Sequence, residues 1–463
     1  RVLFRSRYGY FPGASVGYVL SRLALFENIE SISFLKVRAG WGILGNQSIP
    51  AYRYTTQVGF GNNYNFGTDE VTYVGALPDG ISNPDIKWEE QVQENIAIDG
   101  GFFQNRLTMT LDLFRKTTDD LLLEDQLPAY VGVHSLERVN DVSVTGKLPI
   151  INAAKMRTTG FEVVLGYKTV VSNDLDFNIN LNISQSNSEV LDLTKNTSVL
   201  FSNADFRTGF NMSQTEVGRS PAEFYGYSVE GIYQDYDEIA NHLSPDNENV
   251  DPYTFDRSLT PSTVRYISPG DFKFKDVDGD GFITETDKQY IGDPLPDFIY
   301  GGSVNVNYKS FDVSINLQGV YGNDIVNLNR YFLYGEVSSN KAVERLEDHW
   351  SEENPDAEHP RIGRTRSNNM RFSDYYLEDG TYFRLKNLTL GYTLPQAFST
   401  RLKISSFRVY LSARNLFTIT KYTGYDPEIG SEIGFNVSPL DFGVDNGAYP
   451  QPQIFSLGIN ANF

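Results

Sequence analysis

The chain alternates apolar and polar residues with a period of two in one stretch after another, and few folds accept that pattern. Leu175, Phe177, Ile179, Leu181 and Ile183 hold one parity, against Asp176, Asn178, Asn180, Asn182 and Ser184. Phe455, Leu457, Ile459, Ala461 and Phe463 alternate likewise with Ser456, Gly458, Asn460 and Asn462, up to the last residue of the sequence. Successive side chains of a strand point to opposite faces, so each stretch reads as a strand with one oily and one wet face. The same reading places strands near 9–20, 34–44, 88–101, 106–117, 158–168, 174–186, 298–309, 311–322, 379–393, 406–418 and 453–463. A tight turn is expected at Lys309-Ser310. One strand disobeys: between Leu385 and Leu388, beside Arg384 and Lys386, the apolar parity switches, which reads as a bulge or a stretch above a membrane.

The connections sort by length. Short ones fall near 21–33, 102–105, 169–173, 309–310 and 394–405, and long ones near 45–87, 118–157, 187–297, 323–378 and 419–452. Short turns at one end and long loops at the other are the habit of outer-membrane barrels. The expected fold class is therefore all-β, an antiparallel transmembrane β-barrel with long extracellular loops. Such a strand ending in an aromatic residue is also the form read by barrel-assembly machinery, which makes Phe455, Leu457, Ile459 and Phe463 a candidate assembly signal.

Composition agrees. The chain has 463 residues, 14% of them aromatic, with 29 Tyr and 31 Phe, as interfacial girdles require. No run of about 18 apolar residues suggests a spanning helix. The net charge of −20 argues against a nucleic-acid partner, and the absence of Cys excludes disulfides and thiol chemistry. Arg1–Ser6 matches the translated end of a common sequencing adapter and is set aside, leaving 7–463 as one barrel segment. The strand pattern begins within about a dozen residues, as if the chain were cut from a longer one, and eleven strands leave edges that lipid cannot satisfy.

The sharpest local motif runs from Asp276 to Asp287, DVDGDGFITETD. It matches an EF-hand-type Ca2+ loop, with Asp276, Asp278 and Asp280 as carboxylate ligands, the Phe282 carbonyl next and Asp287 in the last position. Gly281 permits the turn, Ile283 is an apolar anchor, and Asp287 reaches less far than the usual Glu. The competing reading is an acidic turn that holds no metal. Catalytic constellations are poor: His134, His242, His349 and His359 fall in loops without ligand spacing or a nucleophile signature, so the chain does not read as an enzyme. Loop aromatics, among them Tyr331, Trp350, Tyr375 and Tyr376, are candidates for stacking on sugars, against loop self-packing.

Several segments together resemble one family: Tyr8-Gly-Tyr-Phe-Pro12, Phe224-Tyr-Gly-Tyr227 with Gly231-Ile-Tyr-Gln234, Ile291-Gly-Asp-Pro-Leu-Pro-Asp297, Gln318-Gly-Val-Tyr-Gly-Asn-Asp324, His349-Trp-Ser-Glu-Glu-Asn-Pro355, Phe383-Arg-Leu-Lys-Asn-Leu-Thr-Leu-Gly-Tyr392, and Arg414-Asn-Leu-Phe417 with Gly424-Tyr-Asp-Pro427. In this order they resemble the carboxy-terminal half of a SusC/RagA-type TonB-linked outer membrane protein. The resemblance implies a 22-stranded barrel around a plug, of which these would be the last eleven strands. It implies TonB-driven import of glycan oligosaccharides or peptides at the outer membrane, with a SusD-like surface lipoprotein as lid and the TonB complex as partner. The departure is that no plug or TonB-contacting segment lies in this sequence. The alternatives are a passive porin and a soluble calcium-binding carbohydrate-binding protein.

Overall fold

The computed structural model describes residues 8–26, 29–46, 54–56, 58–60, 63–66, 71–78, 80–124, 149–193, 198–201, 211–242, 267–335, 340–362, 368–401, 404–430 and 442–462. Eleven strands form one sheet: β1 (Gly13–Val19), β2 (Ile32–Asn46), β3 (Glu89–Phe102), β4 (Leu107–Glu124), β5 (Ile150–Ser172), β6 (Leu175–Leu193), β7 (Phe298–Tyr308), β8 (Phe311–Tyr321), β9 (Tyr382–Thr393), β10 (Ser406–Thr420) and β11 (Ile454–Asn462). They follow one another in the sheet in chain order. Each falls on a stretch the alternation predicts. The chain divides into two compact units, the first comprising 1–166, 184–200 and 215–221, the second 167–183, 201–214 and 222–463.

In the first unit the antiparallel register places Val37, Ile98 and Leu111 in one cross-strand row and Ala39, Ile96 and Leu113 in the next, all on one face. The opposite face carries Arg38, whose Nε lies 3.2 Å from Asp99 and whose Nη1 lies 2.9 Å from Asp112. Asn95 Nδ2 donates to Asp112 at 3.3 Å and Thr110 Oγ1 to Asp99 at 3.2 Å, so the polar groups of that face satisfy one another. In the row of Trp41 the apolar parity is interrupted by Glu94 and Arg115, which form a 2.5 Å ion pair, before Ile43 and Val92 resume it. Strands β4 and β5 reach further than the alternation predicts, to Glu124 and from Ile150. The pattern fades there because loop residues take over the packing: Ile86 and Ile150 are buried together, with Trp88, Leu122 and Tyr54 against them. The long connection after β2 contains two short hairpins, Val58–Phe60 with Ala76–Pro78 and Tyr64–Phe66 with Val71–Tyr73.

In the second unit, β7 and β8 are joined by the expected tight turn, with Lys309 at φ +54°. Phe311, Val313, Ile315 and Leu317 lie opposite Tyr308, Val306, Val304 and Gly302 on the apolar face. Strand β9 continues the rows with Tyr392, Leu390 and Leu388, then shifts register between Leu385 and Asn387 against both neighbours. Lys386 is the inserted residue of a β-bulge. The extra residue returns Leu385 and Phe383 to the apolar face, opposite Leu317 and Gly319, and puts Arg384 on the polar one. The parity switch in the sequence is thus a bulge. Strand β10 accommodates it with Asn415 at φ +51°, and its Val409, Leu411 and Ala413 continue into Ile459, Leu457 and Phe455 of β11.

The polar face of this unit is mostly amide and hydroxyl. Ser314 Oγ donates to Asn305 at 2.8 Å, Thr389 Oγ1 to Ser412 at 3.1 Å and Ser412 Oγ to Asn387 at 3.1 Å. An ion pair reaches across the strands: Arg408 of β10 reaches past Gly391 of β9 to Asp312 of β8, Nε to Oδ1 at 2.8 Å. A Cβ on residue 391 would collide with both partners.

Among the described residues, the long connections of the second unit pack into buried clusters. Met212, Phe224, Val326, Leu328, Tyr331, Met370, Phe372, Tyr376 and Val444 form one buried cluster. Tyr227, Tyr233, Ile239, Ile267, Phe272, Phe274 and Ile283 form another. Short strands and helices, such as Tyr236–His242 and Leu328–Tyr334, hold these residues in a packed loop body. For the ion pair across β9, Gly391→Ala is expected to destabilise the sheet by about 1–3 kcal/mol, since the new methyl must displace a charged pair that has nowhere better to go. Urea unfolding of the two proteins checks this, with Arg408→Met as the reference for loss of the pair alone.

Candidate functional site

Three groups of residues carry chemistry in the second unit. The first is the acidic loop. Carboxylate oxygens of Asp276, Asp278 and Asp287 lie within 4.8 Å of one another. Asp276 accepts from the N–H groups of Gly279 (2.7 Å) and Gly281 (2.8 Å), which wraps the chain around it. Gly279 and Gly281 supply the left-handed turns this needs, at φ +73° and +80°. Asp280 turns its carboxylate to the N–H of Phe282 at 2.8 Å and stands outside the group of three. Asp287 is fully buried; its two oxygens accept from Val277 (2.8 Å) and Thr284 (2.6 Å), and it closes a capping box on the short helix Glu285–Asp287. Ile283 anchors the loop in the second buried cluster. The segment before the loop is the strand Phe272–Phe274 and not a helix. A hydrogen bond from Thr286 Oγ1 holds the Asp278 carboxyl below its usual range. Burial, followed by the surrounding carboxylates, pushes Asp280 up against the pull of the Phe282 N–H.

The second group is the loop aromatics. Tyr331 and Tyr376 are buried edge to face, ring centroids 5.2 Å apart, in the first cluster. Trp350 is buried and donates its indole N–H to Gln234 at 2.9 Å. Tyr375 stacks against Phe272 at 4.6 Å, lies under the Arg330 guanidinium at 4.4 Å and shares a 2.9 Å hydrogen bond with His359 Nδ1. All four rings have their faces taken by protein, which is the self-packing reading. His359 is buried beside them, and His349 bridges to it in backbone pairing. His242 shares a 2.6 Å hydrogen bond with Tyr233. Burial, with Arg330 next, lowers the His359 pKa; burial, with Lys273 next, lowers that of His242. His134 and Phe463 lie outside the described residues.

The third group was not singled out as a site in the sequence, although its members stand in segments that carry the resemblance. Arg384, beside the β9 bulge, meets Asp426 and Glu428 of the segment after β10, at 2.6 and 2.7 Å. Lys386 meets Glu428 at 2.7 Å. Arg384 and Asp426 are buried, and Arg384 Nε donates to Thr418 at 2.8 Å. Burial opposes ionisation of Asp426, but Arg384 and the N–H groups of Glu428 and Gln451 outweigh it and hold its carboxyl below the usual range. The signal was the pair of cations at the parity switch; what it lacked was the partner, some forty residues away. Other resemblance segments also close on each other. The Asp324 N–H donates to the Asp293 carbonyl, the Asp293 N–H donates to the Asp324 carboxylate, and Phe224 pairs with Gly292.

No family model matches the chain. Curated relatives do. It is 29% identical over 464 residues to TonB-dependent receptor P3 of Formosa agariphila, covering 99% of this chain and 42% of that protein. It is 26% identical over 462 residues to TonB-dependent receptor SusC of Bacteroides thetaiotaomicron, covering 99% and 40%. Among solved structures, the RagAB peptide transporter superposes with a TM-score of 0.74 at 23% identity, over 98% of this chain and 43% of that one, which shows the fold. The chain therefore has the sheet fold of TonB-linked outer-membrane barrels. Along its whole length it is similar to SusC/RagA-type TonB-linked proteins, and it spans about two fifths of the curated relatives it matches.

The histidines give a pH dependence with a definite sign. His359 is kept neutral in the folded loop body, whereas unfolded it titrates near about 6.5. The unfolded chain thus binds the proton more readily, so stability is intact above about pH 6.5 and falls below it, until the lowered folded-state value is passed. The slope is at most about 1.4 kcal/mol per pH unit for each such histidine. Thermal melts of the loop body between pH 7.5 and 5 are expected to drop on the acid side, and less so in His359→Gln.

Proposed function

We propose that the chain is barrel wall and external loops of an outer-membrane, TonB-dependent importer of oligosaccharides or peptides that works with a SusD-like surface lipoprotein, and that it is not an enzyme. The observation that carries this is the two-faced sheet, read beside relatives named as TonB-dependent receptors. On β8 the apolar face runs from Phe311 to Tyr321, ten residue steps. At about 3.3 Å per step and roughly 45° of tilt, that spans about 23 Å, close to the apolar band of such barrels. Aromatic pairs stand at both ends: Phe311 with Tyr392 at 4.7 Å by the tight turn, and Phe298 with Tyr321 at 6.5 Å by the loops. The opposite face offers a wet path of Asn, Ser and Thr.

The apolar face stays bare. Phe455, Leu457 and Ile459 are 69%, 71% and 61% exposed, which suits a lipid-facing last strand bearing the assembly signal. The outer edges of β1 and β11 have no neighbour in the sheet among the described residues. In lipid they need partner strands, consistent with the last eleven of 22. The relatives bear on catalysis only in being named receptors and transporters.

Membrane fractionation with tonB deletion tests the reading. The protein is expected in the heat-modifiable outer-membrane fraction, with uptake abolished when TonB or the proton-motive force is removed. Uptake that persists would make it a porin, and an aqueous-phase protein would sink the barrel. Within the barrel, Ile315→Lys faces lipid and is expected to cost about 2–4 kcal/mol, while Asn316→Lys on the wet face costs little. Urea titration in bilayers separates the two.

For the acidic loop we infer bound Ca2+ that stiffens the loop body. Three converging carboxylates, the Asp276 wrap and the Ile283 anchor support it. The expected affinity is that of extracellular sites, about 10⁻⁴–10⁻³ M. Millimolar Ca2+ is expected to slow proteolysis within 271–290, and Asp278→Asn to remove that protection. Equal cleavage with Ca2+ and with chelator leaves a metal-free turn.

A further inference from the structure

The cations at the β9 bulge converge on a carboxylate that belongs to the chain itself. Lys386 Nζ lies 3.0 and 2.7 Å from the two oxygens of Glu428, and Arg384 Nη1 lies 2.7 Å from Oε2, so both cations meet one oxygen. Gln318 Nε2 stands 3.5 Å from Oε1 and is itself placed by a 3.1 Å hydrogen bond to Tyr382. The Arg384 guanidinium lies over the Tyr382 ring at 5.4 Å. These donors come from two strands, Gln318 from β8 and the two cations from the bulged stretch of β9, so the cluster is built into the wall, whereas its occupant arrives on a loop segment.

The two acids are held differently. Asp426 is buried and also accepts the backbone N–H groups of Glu428 (2.9 Å) and Gln451 (3.0 Å). Removing it would strand a buried guanidinium, which is strongly unfavourable. The Glu428 side chain is 33% exposed, and its carboxylate is held by the side chains of Gln318, Arg384 and Lys386. Its departure breaks no backbone pairing, because its own N–H is committed to Asp426. The part-exposed Lys386–Glu428 pair is worth little net, and Arg384 keeps Asp426 as its buried partner when Glu428 leaves. With Glu428 swung away, Arg384 and Lys386 against Asp426 leave one net positive charge, enough for one carboxylate.

We propose that Arg384, Lys386 and Gln318 form a carboxylate-binding subsite on the polar face of the sheet, closed at rest by Glu428 and opened when a carboxylate-bearing solute takes that side chain's place. The proposal rests on the import reading for its solute, and the shared chemistry is the carboxylate of a peptide terminus or of a uronic acid. Charge-assisted bonds to a planar carboxylate supply the selectivity, and a neutral sugar or amide gains nothing from the exchange.

The test is binding, read without uptake, on the full protein purified from outer membranes. The probes are tetra-alanine, its carboxamide, tetragalacturonate and tetragalactose, in calorimetry. Glu428→Ala removes the internal competitor and is expected to bind a carboxylated probe about tenfold or more tightly than the unaltered protein, with no gain for the neutral counterparts. A gain for tetra-alanine alone assigns the peptide source, and a gain for tetragalacturonate alone the uronate source. Adding Lys386→Met to Glu428→Ala is expected to erase the preference. Heat modifiability on gels establishes that each variant is folded. Folded Glu428→Ala that shows no carboxylate preference, or equal gains for charged and neutral probes, overturns the subsite. Import can survive that result, and the subsite can survive a failure of TonB dependence.

Discussion

Each residue of a paired strand commits its N–H and C=O to its neighbours, which leaves only the side chain to vary, and it varies with a period of two. Everything else in the sheet follows from that constraint. One parity gathers Val37, Ile98 and Leu111 or Val313, Leu390 and Leu411 into rows, and the other gathers Arg38, Asp99 and Asp112 or Asn305, Ser314 and Asn387. A face of bare Phe, Leu and Ile is a liability in water and a requirement in lipid. A single-residue slip would exchange the two faces completely, so the register is fixed as strongly as the faces differ.

The bulge at Lys386 shows how the constraint is broken for a purpose. A regular strand through Phe383–Leu390 would have to turn Phe383 and Leu385 to the polar side or Leu388 and Leu390 with it. Inserting one residue keeps all four on the apolar face and places Arg384 against Gln318 on the other. The neighbouring strand pays the matching distortion with Asn415, whose short amide tolerates the left-handed conformation. The bulge therefore does two things at once. It preserves the lipid-facing rows, and it puts two cations where the segment carrying Asp426 and Glu428 can reach them. Bulges re-aim side chains in this way at the rims of barrels.

How much of this could be read from the residues depends on the range of the forces involved. The eleven strands were legible because period two is written in neighbouring residues. The bulge was legible as a flaw in that rhythm, and the Asp276 loop because its hydrogen bonds close within a dozen residues. The ends of β4 and β5 were not, since Leu122 and Ile150 are kept in strand by contact with Ile86 and Trp88, far along the chain. Nor was the fate of Tyr331 and Tyr376: an aromatic in a long loop looks available until its partners, here Phe224, Met370 and Val444, are known. Asp287 reads as a ligand by its spacing, whereas in the fold its carboxylate caps a short helix, a role the spacing does not show.

Of the two clusters of the loop body, the first gathers Met212 and Phe224 from the connection after β6, Val326 to Tyr376 from that after β8 and Val444 from that after β10, whereas the second lies within the connection after β6, with Tyr375 packed against it. The clusters fix the ends of those segments: Tyr422 is tied to Asp445 at 2.6 Å and Thr423 to Glu378 at 2.8 Å, just before the chain reaches Asp426. The acid that meets Arg384 is thus delivered by a segment anchored on both sides, with Gln451 bonded to Asp426 beyond it. A side chain such as Glu428, held within so fixed a backbone, can leave and return without the segment moving. Exchange at that carboxylate then demands only a rotamer change of one residue, which is the least costly motion a wall of paired strands allows.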